Sequence, residues 1–124
     1  MALADRLGFP HVGVCVDTAH LWTSGVDVRG AKSADAWLAR LAIAPERVMF
    51  HLNDSTRAKG RGPDGHAGLG RGRIWAPYAG TDMRDSGMAS FIRYANARGQ
   101  VGILERRPTG ELAGDYQIIR AILP

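Results

Sequence analysis

Three short apolar runs constrain this chain more than any other feature. Each is closed by a polar residue, and helix-patterned segments separate them. Val12 to Val16 is rich in β-branched residues and ends at Asp17; Val48 to Leu52 carries His51 near its end; Val101 to Leu104 runs into Glu105. Continuous apolar runs of this length read as strands buried on both faces. The segments around and between them have helical periodicity. Asp5 to Gly8 reads as the tail of a helix with Gly8 as its stop. Ser33 caps a predicted helix from about Ala34 to Leu41, whose Trp37, Leu38 and Leu41 share a face and which Pro45 ends. Met88, Phe91, Ile92 and Ala95 recur at helical spacing before Gly99. A last helix is expected from about Asp115 to Leu123, with Ile118, Ile119 and Ile122 inward. The stretch around Trp75, Pro77 and Tyr78 reads as irregular. Strands that alternate with helices pair in parallel, because the right-handed crossover lays a helix on the sheet. The expected class is α/β, with about three parallel β-strands and flanking helices, in one domain spanning 1–124.

Composition narrows the function. The chain has 124 residues, 45% of them hydrophobic and 23% charged, and no apolar run approaches the ~18 residues of a membrane helix. A disordered tail, a membrane span and a coiled coil are excluded. The start, Met1-Ala-Leu-Ala-Asp-Arg6, lacks the basic and apolar stretches of a secretory signal. Cys15 is the only cysteine and cannot form an internal disulfide, so a reducing, cytoplasmic setting is expected. The net charge is +4, and it collects in one segment. Residues 55–73 hold Arg57, Lys59, Arg61, Arg71 and Arg73 against a single acid, Asp64, and are dense in glycine. A basic, glycine-rich loop lets backbone approach a phosphate while cations neutralise it. A solvated surface loop is the plainer alternative.

Asp17, His51 and Glu105 stand at the C-terminal ends of three different predicted strands. In parallel α/β folds that edge carries ligands and catalysis. Each residue alone has an ordinary explanation: a helix cap for Asp17, a hydrogen-bonded core imidazole for His51, an ion pair with Arg106 or Arg107 for Glu105. Together with Asp17-Thr-Ala-His20, a strand-to-loop turn, and Asp64-Gly-His66, they gather three histidines and three acids on one edge. Asp, Glu and His without Cys form a donor set suited to zinc or manganese with positions left open for water. Several metals together would let so many acids crowd. His11 precedes a strand at the opposite edge and reads as structural or solvated.

The runs Gly13-Val-Cys-Val-Asp-Thr-Ala-His20, His51-Leu-Asn-Asp-Ser55, Asp64-Gly-His66-Ala-Gly-Leu-Gly70 and Ile103-Leu-Glu105 resemble the C-terminal half of endonuclease IV. That family comprises zinc-dependent apurinic/apyrimidinic endonucleases on a TIM (β/α)8 barrel. The resemblance covers the chain from about Val12 to Leu123 and implies a partial barrel beginning at the sixth strand of eight. It also implies up to three zinc ions. Asp17, His51 and Glu105 match ligands of one, whose remaining ligand is a glutamate from an earlier strand; His20, Asp64 and His66 match the full protein set of another; the ligands of the third all lie upstream. The implied reaction is hydrolysis of the phosphodiester 5′ to an abasic site in double-stranded DNA, with Arg57, Lys59 and Arg61 on neighbouring phosphates.

Departures from the family pattern are Ala19 in place of cysteine, Gly65 in place of arginine and Arg71 in place of glutamate. The stretch from Ile74 to Asp85 matches nothing in it. A closed barrel takes ~250 residues, and three strands cannot close one. The chain therefore reads as a fragment of a split or truncated gene, as one piece of a barrel completed by an N-terminal half-barrel chain, or as a weakly folding remnant. Two other functions remain open. One is a sugar isomerase or epimerase-like barrel with a single metal; the other is a catalytically inactive fragment that binds DNA or assists assembly.

Overall fold

The computed structural model describes Arg6 and residues 8–9, 11–63, 65–79, 81–106 and 110–123. In chain order the elements are β1 (Val14–Asp17), α1 (Thr18–Thr23), α2 (Ala31–Leu38), a 3-10 turn (Pro45–Arg47), β2 (Val48–His51), β3 (Asp54–Ser55), β4 (His66–Ala67), 3-10 turns at Ala76–Tyr78 and Met83–Asp85, α3 (Gly87–Ala97), β5 (Gly102–Ile103) and α4 (Gly110–Ile122). The expected helix tail at Asp5 to Gly8 lies largely outside the described residues. Gly8 does have the positive φ of a helix-ending glycine.

The parallel sheet anticipated from the three apolar runs is present, in the order β1-β2-β5. Its register pairs Val14 with Val48, Val16 with Phe50 and Asp17 with His51, and on the other side His51 with Ile103. Successive residues of a strand point to opposite faces. Val16, Val48 and Phe50 face the helices and are buried. Phe50 meets the rings of Phe91 and Tyr94 on α3, each at 6.0 Å between centroids, and Trp37 of α2 meets Phe91 at the same distance. Met88, Phe91, Ile92 and Ala95 are all buried, as their spacing requires.

The expectation of burial on both faces fails for the other side of the sheet. Cys15 is exposed, Val101 is 60% exposed and Ile103 is 37% exposed. Three strands do not curl far enough to cover their own inner face, so among the described residues that face has no layer over it.

Local details also depart from the sequence pattern. Residues 18–23 form a helix rather than a loop, because the Asp17 side chain accepts the His20 backbone N–H at 3.0 Å and caps it. Helix α2 starts at Ala31 with Gly30 as its cap, and Ser33 sits inside the first turn with its hydroxyl donating to the Gly30 carbonyl. Helix α4 begins at Gly110, so Asp115 lies within it and not at its start. Of its predicted inward residues Ile122 is buried, while Ile118 and Ile119 pack partly buried against the core. Trp75 is fully buried in the irregular stretch, its indole donating to the Val28 carbonyl.

Candidate metal centre

The sheet register builds the site. Asp17 and His51 are cross-strand partners on the uncovered face, and Glu105 lies two residues beyond Ile103, the partner of His51 on the other side. A fourth residue arrives by a different route. The antiparallel pair β3–β4 matches Ser55 with His66 and so returns the chain to the same rim after the basic loop. His20 follows from the cap at Asp17, in the first turn of α1.

These side chains converge. Asp17, 6% exposed, turns its Oδ2 toward three imidazoles: His66 Nε2 at 3.5 Å, His51 Nδ1 at 3.6 Å and His20 Nδ1 at 3.9 Å. Glu105 Oε2 lies 3.0 Å from His51 Nδ1 and 3.3 Å from His66 Nδ1. The rings of His20 and His66 are 5.8 Å apart. Two groups have donor atoms all within 4.8 Å of one another: Asp17 with His20 and His66, and Asp17 with His51 and Glu105. Asp17 belongs to both. Asp64, expected beside His20 and His66, lies outside the described residues. His11 is exposed at the other end of β1.

Asn53 was not singled out by sequence and stands at the centre of the site. It is fully buried, and its Nδ2 donates to Asp17 Oδ2 at 3.0 Å and to Glu105 Oε2 at 2.8 Å. Burial pushes the Glu105 carboxyl up, but the Asn53 amide together with His51 and His66 outweighs it and holds the group below its ordinary value. Thr18 fixes the Asn53 backbone: its hydroxyl donates to the Asn53 carbonyl at 2.7 Å, and the Asn53 N–H donates back to that oxygen at 2.9 Å. Of the two arginines offered as ordinary ion-pair partners for Glu105, Arg107 lies outside the described residues and Arg106 does not pair with it. Arg106 instead directs Nη1 to Asn53 Oδ1 at 2.7 Å and Nε to Asp115 Oδ2 at 3.1 Å.

The five cations of the glycine-rich segment separate into different roles. Arg57, Lys59 and Arg61 lie on the loop joining β3 to β4, where Arg57, Lys59 and Arg61 reach the surface. Trp22 holds that loop near α1, its indole donating to the Arg57 carbonyl and its own carbonyl accepting from Gly60 N–H. Arg71 is engaged within the fold, with Nη2 at 3.0 Å from Asp115 Oδ1 and donating to the Glu111 carbonyl. Arg73 is exposed and lines a surface groove with Arg29, Lys59 and Trp22, which adds Arg29 to the cations near the loop. Asp27 pairs with Arg29 at 2.8 Å, and that guanidinium lowers its carboxyl to about 2. No helix among the described residues is long and apolar enough to cross a membrane.

Three comparisons bear on this geometry. A family profile described as xylose isomerase-like TIM barrel matches residues 1–94. A probable AP endonuclease of African swine fever virus (isolate Pig/Kenya/KEN-50/1950) is 42% identical over 101 residues, which cover 77% of this chain and 34% of the viral protein. Among solved structures, the crystal structure of AsfvAP:AG superposes with a TM-score of 0.93 at 31% identity, over 99% of this chain and 44% of that one. Endonuclease IV from Thermus thermophilus gives a TM-score of 0.72 at 31% identity, over 98% and 42%. The chain thus spans about a third of the length of the viral relative.

Proposed function

The chain belongs to the xylose isomerase-like TIM barrel family, and from that premise we propose that it carries the zinc-binding rim of an endonuclease IV-like DNA repair enzyme. The proposed reaction is hydrolysis of the phosphodiester 5′ to an abasic site in double-stranded DNA. One observation carries this reading. Two groups of acid and imidazole donors share Asp17 at the C-terminal edge of a parallel sheet, an arrangement suited to neighbouring metals rather than one. A single-metal isomerase site would need Asp17, His51 and Glu105 and would not call for His20 and His66 beside them.

The donor set fits zinc. Nitrogen and carboxylate oxygens predominate, no thiolate belongs to either group, and the positions are partly open to solvent. Asp17, His51 and Glu105 would hold one ion; His20 and His66, with Asp64 two positions before His66 in the sequence, would hold another. Bound zinc supplies water of lowered pKa and neutralises a phosphodiester. The remaining work falls to the polypeptide. Asn53 keeps the two carboxylates side by side, the Asp17 cap fixes His20 through the first turn of α1, and β3–β4 returns His66 to the rim. Arg57, Lys59 and Arg61 bind backbone phosphates beside the damaged nucleotide, giving affinity that depends on salt but not on sequence. An abasic nucleotide has no base to unstack, so drawing it into such a site costs less than extruding an intact one. A closed barrel needs further strands and the upstream ligands, which an N-terminal half-barrel partner would supply, and the proposed setting is intracellular, with DNA.

Metal content and incision test the proposal together. Zinc bound per chain is measured by atomic absorption, and incision is followed on a duplex with one abasic site. The expected result is more than one zinc per chain, one lost in His66→Ala and the other in Asp17→Ala, with chelator-sensitive incision 5′ to the lesion once the barrel is complemented. A single metal retained in His66→Ala, matching a single metal in wild type, would favour the isomerase, and DNA binding without incision would favour a non-catalytic module.

A further inference from the structure

A buried polar chain runs from the carboxylates of the rim into the body of the fold. Asn53 Nδ2 spends both its protons on Asp17 and Glu105, while its Oδ1 accepts Arg106 Nη1 at 2.7 Å and the Glu105 N–H at 3.4 Å. The donors and acceptors around this amide leave it one orientation. Arg106 is itself fixed. Its side chain is 3% exposed, and its Nε lies 3.1 Å from Asp115 Oδ2 on α4. The other Asp115 oxygen accepts the Leu69 N–H at 2.9 Å and Arg71 Nη2 at 3.0 Å. Asp115 thereby ties Arg106 to the glycine-rich segment that follows His66. No member of this chain beyond the two carboxylates belongs to either donor group of the rim.

We propose that Asn53 and Arg106 are positioning residues of the metal centre, setting its affinity through the orientation of Asp17 and Glu105 without touching the ion. The physical basis is preorganisation. Two carboxylates brought together before a cation arrives repel one another, and each is free to rotate away. The Asn53 amide offers each a proton and holds both Oδ2 and Oε2 toward the imidazoles. Arg106 polarises that amide and keeps it from turning its oxygen toward the acids, and Asp115 neutralises and anchors the guanidinium inside the fold. Partners that orient ligands from behind tune metal affinity about 10- to 100-fold in characterised sites.

The inference rests on the metal reading above, and its test separates the two. Zinc affinity of the 124-residue chain is measured by competition with a chromophoric chelator, and thermal unfolding of the metal-free chain is followed alongside. Asn53→Ser, too short to reach both acids, is expected to weaken zinc binding about tenfold or more. Arg106→Met is expected to do the same, and Arg106→Lys, which keeps a cationic donor, to recover part of the loss. Ala95→Gly, in α3 and away from the rim, serves as a control that lowers the unfolding midpoint without changing zinc affinity. If Asn53→Ser fails to fold, the Met and Lys variants of Arg106 decide the matter. Unchanged affinity in the Arg106 variants, or an equal loss in Ala95→Gly, overturns the positioning role alone. A wild-type chain that binds no zinc overturns the metal reading, and this inference with it.

Discussion

Asn53 and Asp54 are adjacent and fully buried, yet they serve different parts of the molecule. Asn53 points to the rim, whereas Asp54 anchors the segment after the glycine-rich loop. Its Oδ1 accepts the N–H groups of Ser55 and Ile74, and its Oδ2 those of Gly72 and Trp75. Asp54→Asn would replace one acceptor oxygen with an NH2 group facing amide donors. The expected cost is about 2–3 kcal/mol, measured by urea unfolding. Burial pushes the Asp54 carboxyl above its ordinary value despite those four donors. A folded-state pKa above the unfolded one means that protonation favours the fold, so the contribution of Asp54 declines as pH rises through the folded value. The stability advantage of wild type over Asp54→Asn should therefore shrink from acid pH toward neutrality. An advantage that grows with pH would show that the amide donors prevail over burial. At this scale the sequence was legible only for residues that announce chemistry. Asp17 and His51 stand out as polar residues ending apolar runs, whereas Asn53 is one amide in a polar turn. Only the strand register reveals that it lies between two acids from different strands.

Elements were easier to read where burial dictates their pattern. Strands β1 and β2 and helix α3 follow the expected spacing because each packs an apolar face against the same core. Short or capped elements were hidden. α1 is six residues long and is held by a side-chain cap and tertiary contacts rather than by its own propensity. The β3–β4 pair has two residues per strand, too few for any alternation to show. Asp115 looked like a helix start, but its carboxylate is used in a buried ion pair and the helix begins upstream. Arg71, which departs from the family pattern, is explained by the same contact with Asp115. The N-terminus of α3 gives an element-scale prediction with an unusual sign. In an open helix position Gly→Ala stabilises by about 1 kcal/mol. A Cβ on Gly87 would run into the Val28 carbonyl, a backbone atom that cannot move aside cheaply, and would crowd Ala34 of α2. Gly87→Ala should destabilise by about 1–3 kcal/mol and part α3 from α2, seen as a lower unfolding midpoint and faster amide exchange in both helices. A midpoint at or above that of wild type would mean that the α2–α3 packing relaxes without cost.

The whole molecule is an apolar sheet covered on one side. Cys15, Val101 and Ile103 lie bare on the uncovered face, and among the described residues no strand pairs with the outer edges of β1 and β5. An open edge beside an exposed apolar face is a template for further strands. The rim of candidate ligands borders that face, since Asp17, His51 and Glu105 continue the rows that Cys15, Met49 and Ile103 occupy. Whatever covers the sheet thus also walls the centre off from water. With no complementary half-barrel present, copies of the chain are expected to cover one another, so the weight-average mass in sedimentation equilibrium should rise with concentration. Val101→Lys places a charge on the bare face while leaving its backbone carbonyl free to accept the Phe50 N–H, and should keep the chain monomeric. Ala36→Lys adds the same charge at an exposed position of α2, in the helix layer on the other side of the sheet, and should leave association unchanged. A half-barrel partner would compete for the same surface, so its addition should dissolve the self-association of wild type and fail to bind Val101→Lys. A wild-type chain that stays monomeric at every concentration, or a Val101→Lys chain that associates as wild type does, would show that this face does not drive association.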